Sequence, residues 1–135
     1  MAEKRVLRLT LTRQWFDLIA QGVKKEEYRE IGKVNRKGDF TYWAENRLLF
    51  HYRAYVAIHK REPLSEEGEL PLYNKYDEVL FKNGYGPNVP SMRVEFNGCD
   101  IGPVNPDWAP EGTTGNYFRI KLGDVLEVTN WEGPK

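Results

Sequence analysis

The chain has 135 residues, of which 40% are apolar and 30% charged, and its formal net charge at neutral pH is zero. That length suits one domain with its own core, and that balance excludes wholesale disorder. No apolar run approaches the roughly 20 residues that cross a bilayer, and the start Met-Ala-Glu-Lys-Arg lacks the apolar stretch of a signal peptide, so a single cytoplasmic domain over residues 1–135 with no membrane partner is expected.

Elements can be read in chain order. Val6 to Leu11 alternates Leu7, Leu9 and Leu11 with Val6, Arg8 and Thr10, the period of a half-buried strand. Thr12 stands where a helix N-cap would, Trp15, Leu18 and Ile19 fall at i, i+3 and i+4 within Arg13 to Gln21 with Phe16 widening the apolar stripe, and Gly22 supplies a left-handed stop. Lys24 to Ile31 reads as a second strand, charged at nearly every position. Such polarity on both faces is unusual for a plain core element.

A polar connection over 32–39 leads to Tyr42 to Arg61, where Leu48, Tyr52, Tyr55, Val56 and His59 follow helical spacing. Residues 62–75, with Pro63, Gly68, Pro71 and several glutamates, read as a flexible loop or insertion. Strands are expected at Glu78 to Lys82, at Ser91 to Phe96, from Cys99 to Ile101 after an Asn97-Gly98 turn, and at Tyr117 to Leu122 and Asp124 to Thr129, joined at Gly123. A Pro- and Gly-rich loop carrying Trp108 fills 102–115. The fold class is therefore α+β, a small, mixed, mainly antiparallel barrel of five or six strands with one or two packed helices. The single cysteine, Cys99, forms no internal disulfide and reads as a small packed apolar side chain.

The zero net charge hides an asymmetry, because residues 1–61 carry 14 Lys or Arg against 7 Asp or Glu while residues 62–135 carry 6 against 13. Either the molecule has a basic face that attracts polyanions, or the halves interleave and cancel.

The segment Gly22-Val-Lys24-Lys25-Glu26-Glu27-Tyr28-Arg29 concentrates the chemistry. On a strand, Lys25, Glu27 and Arg29 share one face and Lys24, Glu26 and Tyr28 the other, with Lys24 at the strand's start, where a turn can rotate it toward the first face. A carboxylate beside a guanidinium can accept an N–H from a base edge while the cation contacts phosphate or a carbonyl. The plainer alternative is a solvated edge strand whose charges prevent aggregation.

In order and spacing this segment resembles the ASCH family, whose pattern is a helix followed by G-x-K-x-x-E-x-R on the next strand. Trp15-Phe-Asp-Leu-Ile19 is similar to the family's helix, and Gly123-Asp-Val-Leu126 to its closing strand. The resemblance covers most of the chain apart from roughly 55–75. It implies a PUA-like β-barrel with a cleft beside the helix that binds RNA or a modified nucleoside, contacted by Lys24, Glu27 and Arg29. Some members are amidohydrolases that deacetylate N4-acetylcytidine with a lysine and a threonine of G-x-K-x-x-T. Lys24 matches that lysine, and Glu27 stands in the threonine's place. An enzyme of this kind, or one acting on RNA, would use Lys24 and Glu27 as its catalytic groups.

Aromatic residues interleaved with Arg36, Lys37, Arg47 and Arg53 suit base stacking, with Tyr42 and Trp43 the leading contacts, although an amphipathic helix burying its rings accounts for most of them. Tyr85, in Asn83-Gly-Tyr-Gly-Pro87, is a further ligand contact or else part of a packed turn. The two histidines, His51 and His59, miss the spacing of a helical metal pair, and no cofactor fingerprint occurs, so neither metal nor cofactor is expected. The sequence does not specify an oligomeric state.

Overall fold

A computed structural model describes residues 3–30 and 75–135, with the backbone of 33–34, 40–41 and 68–69. The elements are β1 (Val6–Thr10), α1 (Arg13–Ala20), β2 (Glu26–Arg29), β3 (Lys33–Val34), β4 (Phe40–Thr41), β5 (Gly68–Glu69), β6 (Glu78–Lys82), β7 (Ser91–Pro103), a 3₁₀ turn at Pro106–Trp108 and β8 (Asn116–Thr129). The class is α+β. The helix expected over 42–61 lies outside the described residues, and of the 62–75 loop Gly68 and Glu69 form β5.

Hydrogen-bonded strands follow the order β1-β6-β7-β8-β2, with β5 beside β7 and a separate β3-β4 pair. The sheet is mixed, because β1 and β6 run parallel while β6 and β7, and β5 and β7, run antiparallel. The path has two ends among the described residues, so the sheet is not closed on itself. The residues group into two compact units, one of Met1–Glu26, Lys75–Gly98 and Lys121–Lys135, the other of Glu27–Asn74 and Cys99–Ile120.

In the first unit the buried apolar side chains are Leu7, Leu9 and Leu11 from the β1 stretch, Phe16 and Ile19 from α1, Val79 and Phe81 from β6, Met92 and Val94 from β7, and Leu122. Alternation explains the set, since every second side chain of β1, β6 and β7 turns to one face. The buried face of α1 differs from the expected stripe. Phe16, Asp17 and Ile19 are buried, whereas Trp15 and Leu18 are only half-buried, because the face is centred on the Phe16 ring and on a hydrogen-bonded carboxylate. Thr12 occupies the N-cap position, yet its hydroxyl makes no capping bond.

The far end of α1 is built by backbone geometry. Gly22 takes φ 77°, its N–H donates to the Ile19 carbonyl at 2.9 Å, and the Val23 N–H donates to the Leu18 carbonyl at 3.0 Å. These are the two bonds of a Schellman stop, which requires a residue free to adopt left-handed backbone at Gly22.

Two expected turns are absent. β7 runs unbroken through Asn97-Gly98, and β8 runs unbroken through Gly123. Gly98 accommodates φ 111° within its strand, and a side chain at Gly123 would fall 2.9 Å from Glu95 Cβ. Both glycines permit local backbone demands inside a strand, so neither one ends it. The second unit buries Cys99, Ile101, Ala109, Phe118 and Ile120, and Arg119 pairs with Asp100 through Nε at 2.7 Å and Nη2 at 2.9 Å.

Glu78 opens β6 with only 3% of its surface exposed. It lies directly opposite Glu95 on β7 and diagonal to Arg93, which is opposite Leu80. Lys4 Nζ donates to Glu78 Oε1 at 2.8 Å, and Arg93 Nη1 reaches Oε1 at 2.8 Å and Oε2 at 2.9 Å. The Lys4 hydrogen bond, then Arg93, outweigh burial and hold the carboxyl below the ordinary glutamate value of 4.5. A depressed folded-state pKa stabilises the fold above the unfolded value, and that stability disappears as pH falls through the folded value. Glu78→Gln should therefore cost about 1–3 kcal/mol at neutral pH, and urea titrations should show this difference shrinking once pH is taken well below 4.5. An undiminished difference in acid would assign the loss to shape instead of charge.

Candidate functional site

The residues expected to bind ligand differ in how they are held. Lys24 follows the Schellman stop, and its N–H donates to the same Leu18 carbonyl that ends the helix, at 3.1 Å. The turn carries its side chain back over α1, placing Nζ 4.5 Å from the centre of the Trp15 ring. The residue is 2% exposed, although it carries an ammonium. An aromatic face is one of the few apolar surfaces that attracts a cation, by about 0.5–2 kcal/mol depending on desolvation. Lys24 precedes β2, so the strand is shorter than the expected Lys24 to Ile31, because the helix stop uses residues 22–24.

Lys25, next in sequence, is exposed; its carbonyl accepts the Leu122 N–H of β8 at 3.0 Å, and Glu26 pairs with Lys121 of the same strand. These bonds tie the start of β2 to β8.

Glu27 is 5% exposed. Its Oε2 accepts Arg29 Nη2 at 3.0 Å and its Oε1 accepts the Tyr28 N–H at 3.0 Å. The i, i+2 spacing on a strand places Glu27 and Arg29 on one face, as the alternation implied, within hydrogen-bonding distance of each other. Arg29 is half-buried. On the other face of β2 the Tyr28 hydroxyl oxygen accepts the Asn105 N–H at 3.0 Å, just before the 3₁₀ turn that carries Trp108.

Tyr85 is 87% exposed, at the tip of the β6–β7 connection, where Gly84 takes φ 102° and Gly86 φ 110°. The base of this loop is fixed. Asn83 donates from its side chain to the Leu11 carbonyl at 3.0 Å and from its backbone to the Pro90 carbonyl at 2.9 Å. The turn is thus anchored at its base while the Tyr85 ring stands exposed. Tyr42 and Trp43, like both histidines, lie outside the described residues.

Two partners were not anticipated from the sequence. Trp15 was read as a core residue and instead provides the surface beneath Lys24, and Asn105 gave no signal at all as the donor to Tyr28. Their separations of nine and 77 residues follow no local periodicity. Comparisons of the chain with protein-family models, curated proteins and solved structures find no match.

The burial of Lys24 makes a chemical difference between neighbours. Brief acetylation of the intact protein, read by peptide fragmentation, should modify the exposed Lys25 at least about tenfold faster than Lys24, and Trp15→Ala should narrow that gap. Equal labelling in the parent protein would contradict the packing of Lys24 on Trp15.

Proposed function

We propose that the chain is an RNA- or nucleotide-binding domain of the ASCH type, acting in the cytoplasm, with Lys24, Glu27 and Arg29 as its main ligand contacts and a PUA-like barrel as its complete architecture. The observation that carries this reading is the burial of both Lys24 and Glu27 within the eight-residue segment that resembles the family's motif. Burying an ion costs several kcal/mol even after relaxation, on the order of what a whole domain retains as net stability. Two buried charges in so short a stretch favour a polar ligand as the reason for keeping them.

The chemistry suits a nucleotide. The Glu27 carboxylate can accept an N–H of a base edge, Arg29 offers planar donors to phosphate or to a carbonyl, and Lys24 contributes a compact cation. Tyr85 adds an exposed ring at a fixed loop tip, suited to stacking on a base. The excess of 14 basic over 7 acidic residues in positions 1–61 supports attraction of a polyanion.

Fluorescence anisotropy with short labelled single-stranded RNAs tests the proposal. Affinity should fall as salt rises, because phosphate contacts release counterions. Glu27→Gln should retain the circular dichroism spectrum of the fold and weaken binding about tenfold, the loss of one charged hydrogen bond. Unchanged binding by a destabilised Glu27→Gln would make Glu27 and Arg29 a purely structural ion pair. Incubation with N4-acetylcytidine and with RNA, followed by mass analysis, should return both intact. Deacetylated cytidine or shortened RNA would replace the binding reading with a hydrolase using Lys24 and Glu27.

A further inference from the structure

Asp17 lies in α1, is buried, and belongs to no part of the ligand-binding segment. Its Oδ1 accepts Arg13 Nε at 2.7 Å and the Trp131 indole N–H at 2.8 Å, while its Oδ2 accepts the Lys135 backbone N–H at 3.0 Å. Arg13 in turn donates from Nη2 to the Gly133 carbonyl at 3.0 Å. Residues 131, 133 and 135, alternate positions of one short segment, are thus all attached to two residues one helical turn apart.

The segment has the marks of a piece that can move as a unit. It begins at Asn130, directly after β8, where φ is 58°, a left-handed value that only a few non-glycine residues adopt. Trp131 and Gly133 are half-buried and Asn130, Glu132, Pro134 and Lys135 are exposed, so no residue of the segment is part of the apolar core. Few buried apolar contacts and a small set of polar attachments characterise the parts of a fold that open below the global unfolding free energy. A cavity of about 250 Å³ is lined by Arg13, Asn130, Glu132, Gly133, Pro134 and Lys135. Five of these six residues belong to the segment and the sixth, Arg13, to α1, so docking of the segment completes the lining.

We propose that Asn130–Lys135 is a strap that opens about Asn130, with Asp17 and Arg13 as its latch, and that opening separates Arg13 from the rest of this cavity's lining and exposes the Asp17 carboxylate. The strap is a conformational device of the first unit and does not depend on the ligand assigned to Lys24, Glu27 and Arg29.

Hydrogen exchange followed by nuclear magnetic resonance on the full chain tests it, with the Trp131 indole N–H assigned from its disappearance in Trp131→Phe. In the parent protein this indole should exchange at least about tenfold faster than the backbone amides of Val79 and Val94, which lie in the core strands. Asp17→Asn should accelerate the indole about tenfold and leave Val79 and Val94 unchanged. If Asp17→Asn does not fold, Arg13→Lys, which removes the fork that reaches Gly133, should accelerate the indole in the same selective way. An indole that exchanges at the core rate in the parent protein would overturn the proposal, since the segment would then open only with the whole unit. Uniform acceleration of indole and core amides by either variant would also overturn it, by making the latch an ordinary part of the core.

Discussion

A carboxylate leaves water only when something replaces the water, and three buried carboxylates among the described residues meet that requirement in the same way. Asp17, Glu27 and Glu78 are each more than nine-tenths buried, and each is paired with an arginine, respectively Arg13, Arg29 and Arg93. The pairs differ in what else they engage. Around Asp17 burial pushes the pKa up, but the Lys135 backbone N–H, the Trp131 indole and Arg13 together bring it below the ordinary carboxylate value. Around Glu78 two cations do the work, and they also offset the repulsion expected from Glu95 directly across the ladder. Glu27, the one within the motif, accepts from Arg29 and from the backbone N–H of its own neighbour Tyr28.

Arginine suits this task better than lysine. Its planar fork can serve a carboxylate and a second acceptor at once, as when Arg13 bonds Asp17 and the Gly133 carbonyl and Arg93 bonds Glu78 and Glu127. Lys24, the deeply buried lysine among the described residues, turns its compact charge to the ring of Trp15. The Glu78–Arg93 pair joins residues 15 apart and the Lys24–Trp15 contact residues nine apart, whereas Arg13 with Asp17 is an i, i+4 pair within α1 and Glu27 with Arg29 an i, i+2 pair within β2.

Legibility in the sequence followed the range of the interaction. β1, α1 and β6 were readable because alternation, helical spacing and a left-handed glycine act within a few residues, and the bounds of β6 were anticipated to the residue. β7 and β8 were each divided in two because Asn97-Gly98 and Gly123 look like turns. At Gly123 the glycine answers a neighbour from another strand, Glu95, whose approach no local window contains. The pairing of Glu27 with Arg29 could be anticipated from strand alternation alone. That Trp15 underlies Lys24 could not, since it requires the direction in which the chain leaves α1.

That direction links the helix to the motif. The Leu18 carbonyl accepts both the Val23 and the Lys24 N–H, so the glycine that stops the helix also sets the path on which the motif's lysine begins. In G-x-K-x-x-E-x-R the glycine is therefore a geometric element on the same footing as the charged residues. Its left-handed backbone reverses Lys24 onto the helix, the next two residues carry the chain into β2, and strand alternation then places Glu27 and Arg29 side by side. A non-glycine residue at 22 would meet no steric neighbour, yet it would oppose the φ of 77° on which this sequence of turns depends. The spacing of the motif thus records a helix stop followed by a strand, and the chemistry of Lys24, Glu27 and Arg29 rests on that backbone course.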